Sequence, residues 1–480
     1  MSEVIISING NKYQAKSGET ILEAAAANGI HIPALCHFDG LQGRANCRMC
    51  IVEVEKMRGF QPACVTKIRD GMIVRTETEN IRAARKATLE LIMSDHAVDC
   101  HHCLRIGSTD ERNLDPKFCE CCFWCDCVRD GFCELQTLCR EYHVDALPYV
   151  QHEHDYEEDV SLGSVSRNPN KCIKCRRCVD VCNDVQTVHN LSMAKRGRDI
   201  EVVPELGHDM KHSACVRCGR CVDVCPCGAV YLKEHKDDIL YWAHSYEYHT
   251  AVCVGADVIP ELERLYQAQP GSITLQHLSA ALRKLGFDEV YDADEFINQA
   301  ALRLEESIEK RLDTAPVFAT TSYAVKNFVE KQLPDSAGSV VFGESPLSLF
   351  GQVARAKASE DACRLKTIFI SAHGENAAEA AETGAVDYAV SARELYRVFL
   401  RSGGAPVKRR PVPLDTLGSA ERSPLTALLR PRDFSLTAEP EKADLALRGK
   451  KISAVVTRNL GQTRAALAGT DGRGLTILNS

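Results

Sequence analysis

Cysteine spacing is the feature that most constrains this chain. The sequence has 480 residues and 24 cysteines, and all of these except Cys253 and Cys363 lie between Cys36 and Cys227. The N-terminus reads as a strand rather than a secretory signal, so disulfides are not expected, and so many thiols indicate metal ligation. The spacings within this stretch are those that iron–sulfur clusters require. The sequence therefore predicts a series of redox centres in the first half.

The bulk composition excludes several other classes of protein. The length predicts three or four domains, and a hydrophobic content of 45% is enough for buried cores. A formal net charge of −8, without a long basic run, speaks against nucleic-acid binding. No apolar stretch approaches the roughly 20 residues of a membrane span. We therefore expect a cytoplasmic protein without a membrane span.

Residues 1–78 predict a 2Fe–2S ferredoxin-like domain of the β-grasp type. A hairpin turning at Asn9-Gly10 precedes a short helix that should end near Gly29. Four thiolates with a close central pair suit a 2Fe–2S cluster, with two sulfurs for each iron. The spacing C-x10-C-x2-C-x13-C supplies them from Cys36, Cys47, Cys50 and Cys64. A structural zinc ion is the alternative, and the hairpin and helix disfavour it.

Residues 79–149 predict a second cluster domain, in which one ligand is histidine. A helix over residues 80–93 leads into H-x3-C-x2-C, and a later cysteine opens the tetrapeptide CELQ. The candidate ligands of a 4Fe–4S cluster are His96, Cys100, Cys103 and Cys133. A neutral imidazole in place of a thiolate should raise the reduction potential. The alternative is that His96 is an ordinary histidine at a helix end.

A cysteine-rich insertion over residues 104–132 separates Cys103 from Cys133. Nine of its residues contain Cys119, Cys121, Cys122, Cys125 and Cys127. Either these thiols build an additional metal centre, or one of them replaces Cys103 as a ligand. Spacing alone does not decide between an iron–sulfur cluster and zinc.

Residues 150–240 predict a ferredoxin-like domain with two 4Fe–4S clusters. The pattern C-x2-C-x2-C-x3-C occurs twice, and in such pairs the fourth cysteine of each run binds the other cluster. One cluster should be held by Cys172, Cys175, Cys178 and Cys225, and the other by Cys215, Cys218, Cys221 and Cys182. We expect Cys227 to be a thiol beside a cluster rather than a ligand.

The second half carries a family resemblance. The segment ITLQHLSAALRKLGFDEVYDADE resembles the start of the catalytic domain of iron-only (FeFe) hydrogenases, and AVDYAVSARELYRVF resembles a segment late in that domain. The order of elements over residues 1–240 is similar both to NAD-linked FeFe-hydrogenase subunits and to the large iron–sulfur subunit of respiratory complex I. The resemblance implies that residues 241–480 form a hydrogenase-like α/β domain.

The motifs that hold the hydrogenase active-site cluster (the H-cluster) are altered in this chain. In the family they read roughly TSCCPGW, MPCxxK and MACxGGC. Thr321 and Ser322 stand at the cysteines of the first, Ala372 and Glu375 replace the cysteine and lysine of the second, and the third does not occur before Ser480. Oxygen and methyl groups cannot replace soft thiolates at iron. The resemblance therefore implies a degenerate domain with no H-cluster, no hydrogen chemistry and no catalytic residue of its own.

The expected architecture is therefore an α+β chain of several domains that ends in an α/β domain. Short β-branched runs alternate with helical stretches after residue 241, which predicts parallel sheets. Residues 405–450 contain several prolines and predict a loop-rich connection. Two roles stay open for this half: a scaffold that serves as a docking surface, or a ligand pocket in the vacated site, with His373 as the residue of interest.

These patterns together predict an electron-relay subunit with one 2Fe–2S cluster and at least three 4Fe–4S clusters. The resemblance implies a flavin-containing NAD(P)-linked complex, with electron bifurcation as one option. Its other members would be a flavoprotein that oxidises NAD(P)H, a thioredoxin-like 2Fe–2S subunit, ferredoxin and a separate catalytic subunit, either a nickel–iron hydrogenase or a formate dehydrogenase. A redox sensor is a further alternative. A standalone enzyme is disfavoured because no G-x-G-x-x-G nucleotide loop occurs.

Overall fold

We describe the fold from a computed structural model of the chain. The residues it describes are 3–96, 127–129, 132–144, 148–149, 155–311, 317–358, 364–417, 421–430, 438–447, 450–469 and 475–479. Cys100, Cys103, Cys119, Cys121, Cys122, Cys125 and Cys363 lie outside these ranges. None of the helices within them is long and apolar enough to cross a membrane.

The first 75 residues form a five-stranded mixed sheet with one helix. The strands follow the order β2-β1-β5-β3-β4 and are β1 (Glu3–Ile8), β2 (Asn11–Lys16), β3 (Ile51–Val54), β4 (Phe60–Pro62) and β5 (Ile73–Arg75). The predicted turn is confirmed, because Asn9 and Gly10 have φ of 52° and 88° between two antiparallel strands. Helix α1 (Ile21–Ala27) begins at a Thr20 capping box, and Gly29 follows it at φ 71° as predicted.

Two further helices follow, of which the first packs on strand β3 and the second packs on the first. The predicted helix over 80–93 is α2 (Glu79–Ser94), and α3 (Glu134–Glu141) begins at CELQ. Leu89 and Met93 of α2 and Leu135 of α3 pack with Leu35 and Met49 of the first cysteine-containing loops, forming one apolar cluster. The cysteine loops of the first domain are therefore buried against the second.

The dicluster segment consists mainly of loops around two very short helices. Strand β6 (Val165–Arg167) pairs with β9 (Val230–Leu232), and β7 (Leu191–Ala194) pairs with β8 (Glu201–Pro204), both antiparallel. Helices α4 (Arg177–Asp180) and α5 (Arg220–Asp223) have the same sequence, RCVD, and occupy equivalent places in the internal repeat. Each follows a residue in the left-handed conformation, Arg176 at φ 73° and Gly219 at φ 75°.

The second half contains two largely parallel sheets, as predicted. The first sheet has the order β11-β10-β14-β15 and the second has the order β13-β12-β18-β17-β16. Their strands are β10 (His249–Val254), β11 (Glu289–Asp292), β12 (Val317–Thr320), β13 (Val340–Phe342), β14 (Leu365–Ile370), β15 (Tyr388–Val390), β16 (Glu441–Leu447), β17 (Lys450–Val456) and β18 (Leu475–Ile477). All pairs are parallel except β16 with β17.

Helices cover both sheets. They are α6 (Lys236–His244), α7 (Ile259–Leu265), α8 (Leu275–Leu285), α9 (Ala293–Glu309), α10 (Tyr323–Gln332), α11 (Pro346–Ala358), α12 (Gly374–Thr383), α13 (Ala392–Arg401), α14 (Thr426–Leu429) and α15 (Leu460–Ala468). Fully buried aromatic rings such as Phe296, Phe350 and Phe399 fill the layers between sheet and helices.

The prediction of a loop-rich connection over 405–450 is wrong in part. Helix α14 and strand β16 lie within it, and β16 forms the edge of the second sheet. Strand β16 reads EKADLAL, in which charged residues occupy most of the first half. An edge strand needs fewer apolar residues than a central strand, so the apolar pattern that would have predicted β16 is weak.

Candidate iron–sulfur sites and the cavity of the second half

The structure brings together the four thiols predicted to hold the 2Fe–2S cluster. The Leu35 amide donates to Cys47 Sγ at 3.4 Å, and the Cys47 amide donates to Cys36 Sγ at 3.5 Å. Hydrogen bonds from the Cys47 and Cys64 thiols lower the pKa of Cys36 to about 2, and the hydrogen bond from Cys64 lowers that of Cys50 to about 7. The same hydrogen bonds raise the pKa of the donating thiols Cys47 and Cys64, so anionic sulfur, the ligand form that iron needs, is stabilised at Cys36 and Cys50 in particular.

A glycine sets the shape of this first site. A Cβ on Gly43 would lie 2.2 Å from the Cys64 carbonyl oxygen, so only glycine allows the two cysteine-containing segments to approach each other. The buried thiols and the close backbone contact therefore fit the predicted cluster.

The histidine-containing site is described only in part. His96 is buried just after α2, and Cys133 precedes the first residue of α3. Burial, the largest cause, raises the pKa of Cys133 to about 11, and the nearby charge of Cys127 acts in the same direction. Cys127 therefore lies close to Cys133. Cys139, in contrast, is buried among apolar side chains.

The eight predicted cluster ligands of the dicluster segment line two separate cavities. One is lined by Cys172, Cys175, Cys178 and Cys225, and the other by Cys182, Cys215, Cys218 and Cys221. This grouping is the one expected for crossed ligation, and the ligation itself remains a prediction. Cys227 also lines the first cavity, but its thiol donates to the Lys171 carbonyl at 3.0 Å.

The surroundings of both cavities suit metal-bound thiolates. Lys174 and Arg217 occupy the left-handed region at φ 58° and 63°, and their amides donate to Cys172 Sγ and Cys215 Sγ, each at 3.4 Å. Burial raises the pKa of the Cys172 and Cys215 thiols to about 11. Ionisation at such depth requires a compensating cation, which cluster iron provides when bound.

Single metal ions have no comparable site in the described ranges. There, no three His, Cys, Asp or Glu side chains are arranged as the ligands of one ion. Cluster ligands differ because each iron takes at most two of them: a 4Fe–4S cluster takes one protein ligand per iron, and a 2Fe–2S cluster takes two.

Contacts between loops join the first cluster site to the dicluster segment. Asn46, next to Cys47, donates to the Lys174 carbonyl at 2.8 Å, and Lys174 lies between Cys172 and Cys175. Arg44 makes two hydrogen bonds of 3.1 Å to the Asp180 carboxylate. The loops that carry the thiols of the two sites are therefore in direct contact.

The expected vacated site of the hydrogenase-like domain corresponds to a cavity of about 410 Å³ in the second half, whose lining includes Ser322 and Glu375. It lies beyond the carboxyl ends of strands from both sheets, where parallel α/β sheets commonly bind ligands. The structure brings two altered motif positions together in it, because Ser322 Oγ donates to Glu375 Oε2 at 2.6 Å. The Ala324 amide donates to the same carboxylate oxygen at 3.0 Å. These contacts leave hard oxygen ligands where the family has thiolates.

Buried carboxyl groups in this cavity were not identified from the sequence. Asp257 accepts hydrogen bonds from Ser371 Oγ and the Ala372 amide, both at 2.7 Å, and burial raises its pKa. Burial also raises the pKa of Glu379 to about 7. His373 Nε2 lies 3.9 Å from Asp257 Oδ2. The one sequence signal for Asp257 as a cavity residue was its position just after a predicted strand.

The cavity adjoins the second dicluster site. Arg220 lines both cavities, and a Cβ on Gly219 would lie 2.8 Å from Gly374 Cα at the start of α12. Lys331 of α10 donates to the Cys215 carbonyl at 2.7 Å. The cysteine loop and the second-half domain are therefore closely packed.

Three family profiles match the chain. They are a 2Fe-2S iron-sulfur cluster binding domain over residues 1–79, a 4Fe-4S dicluster domain over 171–229 and the iron only hydrogenase large subunit, C-terminal domain, over 248–426. The chain therefore contains 2Fe–2S and 4Fe–4S cluster domains followed by a hydrogenase-like domain.

Individual relatives agree with these matches. The NADP-reducing hydrogenase subunit HndD of Solidesulfovibrio fructosivorans is 32% identical over 74% of this chain and 59% of its own length. Iron hydrogenase 1 of Clostridium pasteurianum is 29% identical over 73% of this chain and 58% of its own. The NADH-ubiquinone oxidoreductase 75 kDa subunit of Reclinomonas americana is 32% identical over 42% of this chain and 25% of its own. The chain thus spans less than two thirds of the length of each relative. The resemblances to iron-only hydrogenases and to the large iron–sulfur subunit of complex I, predicted from the sequence, are both confirmed.

Proposed function

We propose that this chain, a relative of the iron-only hydrogenases and of the large iron–sulfur subunit of complex I, is an electron-relay subunit. It would serve a soluble, cytoplasmic oxidoreductase complex that contains a flavin and is linked to NAD(P). The observation that carries the proposal is the contact between cysteine loops. Asn46 bonds the Lys174 carbonyl, so residues adjacent to Cys47 and Cys175 meet. Iron–sulfur clusters, when bound, supply one-electron transfer.

The partners belong to the same proposal. A flavoprotein would oxidise NAD(P)H, a thioredoxin-like 2Fe–2S subunit would accompany it, and a separate subunit such as a nickel–iron hydrogenase would carry out catalysis. In this proposal the complex also exchanges electrons with free ferredoxin, and the flavin bifurcates electrons. The Solidesulfovibrio relative is a subunit of an NADP-reducing hydrogenase, which supports a pyridine-nucleotide partner. A formate dehydrogenase or another low-potential reductase is the alternative catalytic subunit.

The residues of the vacated site support a relay rather than a hydrogenase. Ser322 and Glu375 present oxygen atoms, which are hard ligands, and these are hydrogen-bonded to each other. Catalysis would therefore take place on a separate subunit, and the second-half domain would provide a scaffold and docking surface.

An anoxic reduction assay tests the relay. The purified, cluster-loaded chain is mixed with NADH or NADPH, with and without the flavoprotein that co-purifies with it from its native cells, and cluster absorbance is followed. We expect bleaching only when the flavoprotein is present, and no hydrogen from chain reduced with dithionite and methyl viologen. Hydrogen evolution or NAD(P)H turnover by the isolated chain would overturn the proposal. Mass spectrometry of the co-purified proteins identifies the catalytic subunit.

A further inference from the structure

Two equivalent arginines in the internal repeat are buried beside the cysteines. Arg177 directly precedes Cys178 and Arg220 directly precedes Cys221, and each is the first residue of an RCVD helix. Only 2% of Arg177 and 5% of Arg220 is exposed. Burying a guanidinium is costly unless it is paired, so a buried arginine at the same place in both repeats requires an explanation from its contacts.

Arg177 contacts all three of the cluster domains predicted in the first half. Its two Nη atoms each donate to the Glu134 carboxylate at 2.9 Å, and Glu134 directly follows Cys133. Nη2 also donates at 3.3 Å to the carbonyl of Ala34, two residues before Cys36. The guanidinium lies 5.6 Å from the centre of the Phe38 ring. One side chain thus connects residues that adjoin three predicted sites.

The charge of Arg177 persists despite its burial. An arginine keeps its charge in proteins, and the two hydrogen bonds to the Glu134 carboxylate offset the cost of burying it. The thiols of Cys175 and Cys47 are among the groups that interact with this charge. The side chain of Glu134 is 45% exposed and that of Arg177 is 3% exposed, so water screens the carboxylate more than the guanidinium. The field at the two thiols is therefore net positive.

We propose that Arg177 is a positioning residue of the relay, whose buried charge raises the reduction potentials of two cluster sites. One is the site of Cys36, Cys47, Cys50 and Cys64, and the other is the site of Cys172, Cys175, Cys178 and Cys225. Reduction adds one negative charge to a cluster, and a fixed cation nearby stabilises that charge. The inference rests on the proposed function, since a shift in potential matters only where electrons pass.

The equivalent arginine provides an internal comparison. Arg220 directly precedes Cys221 and lines the cavity of the second-half domain. It donates to the Asp223 carboxylate at 3.3 Å, and the side chain of Asp223 is 25% exposed whereas that of Arg220 is 6% exposed. Its charge should therefore act on the site of Cys182, Cys215, Cys218 and Cys221. The two arginines would then raise the potentials of different sites on the same chain.

The test is a redox titration of the full, cluster-loaded chain, monitored by electron paramagnetic resonance. R177Q should shift the potentials of its two adjoining sites to more negative values, whereas E134Q, which leaves the cation uncompensated, should shift them to more positive values. R177K, which keeps the charge, should shift them less than R177Q. R220Q should shift only the site that contains Cys218.

Outcomes separate the charge effect from simple loss of structure. R177Q with full iron content and unchanged potentials would overturn the inference, as would equal shifts at every site. If R177Q does not fold, the sign of the E134Q shift decides: a negative shift or none overturns the inference. If the variants show the predicted shifts but the flavoprotein cannot reduce the wild-type chain, the charge effect is supported and the relay is rejected.

Discussion

Replacing Gly219 with alanine should weaken the attachment of the second-half domain to the dicluster segment. Gly219 lies in a cysteine loop at φ +75°, and a Cβ there would lie 2.8 Å from Gly374 Cα and 3.1 Å from the Gly374 carbonyl carbon. Both are backbone atoms, so neither can rotate away as a side chain would. Helix α12, which begins at Gly374, would have to move away from the loop.

The magnitude follows from two contributions. A left-handed φ costs alanine about 1–2 kcal/mol relative to glycine. Overpacking typically adds about 1–3 kcal/mol. Gly197 is the matched control, because it has a similar φ of +64° but nothing within 4 Å of its added Cβ. G219A should therefore lose about 2–5 kcal/mol and G197A only about 1–2 kcal/mol.

Anoxic urea titrations of the cluster-loaded variants measure this difference. Loss of cluster absorbance and tryptophan fluorescence are followed together, and apparent midpoints are compared, because a chain of several domains need not unfold in one step. We expect a lower midpoint for G219A than for G197A. Equal midpoints would show that the contact between the cysteine loop and α12 does not contribute to stability, and would refute the reasoning.

Three further results are expected. Cys182→Ala should abolish the cluster signal of the site that contains Cys215 and spare its neighbour, and electron paramagnetic resonance showing the reverse would exclude crossed ligation. Ser322→Ala should lower the free energy of unfolding by about 1.5–3 kcal/mol, because it removes a hydrogen bond to the Glu375 carboxylate, and an unchanged urea midpoint would argue against that bond. Glu379 has a pKa of about 7 because it is buried, so the folded chain binds its proton more tightly than the unfolded chain does. The contribution of Glu379 to stability is therefore present below its ordinary pKa and is lost as pH rises to about 7. Urea titrations across that pH range should show a smaller loss of stability for Glu379→Gln than for the wild-type chain.

Local sequence patterns predicted much of the fold. The Asn9-Gly10 hairpin, the helix over residues 80–93 and the parallel strands of the second half all follow from short-range signals, such as turn residues and β-branched runs. The grouping of the eight predicted dicluster ligands also followed from spacing, because an internal repeat restricts which thiols can meet. Strand β16 was missed because its charged residues concealed an edge strand.

Contacts distant in sequence could not be predicted. Arg177 bonds Glu134 across 43 residues, and Ser322 bonds Glu375 across 53 residues. Neither pair carries a local motif, since an arginine beside a cysteine is equally compatible with an exposed position. The Arg177–Glu134 pair became evident only from the burial of Arg177 in the fold. The Ser322–Glu375 pair became evident only because the fold brings strand ends of two sheets together.

The hydrogen bonds at the start of α10 explain how the vacated site can persist as a stable scaffold. The first amides of a helix lack partners within it, and a negative charge near them is favourable. Ser322 Oγ accepts from the Val325 amide at 3.2 Å, and Glu375 accepts from both Ser322 Oγ and the Ala324 amide. The chain therefore satisfies with its own oxygens the amides that would otherwise face the cavity. This arrangement stabilises the domain without a soft metal ligand, which supports the proposed relay to a separate catalytic subunit.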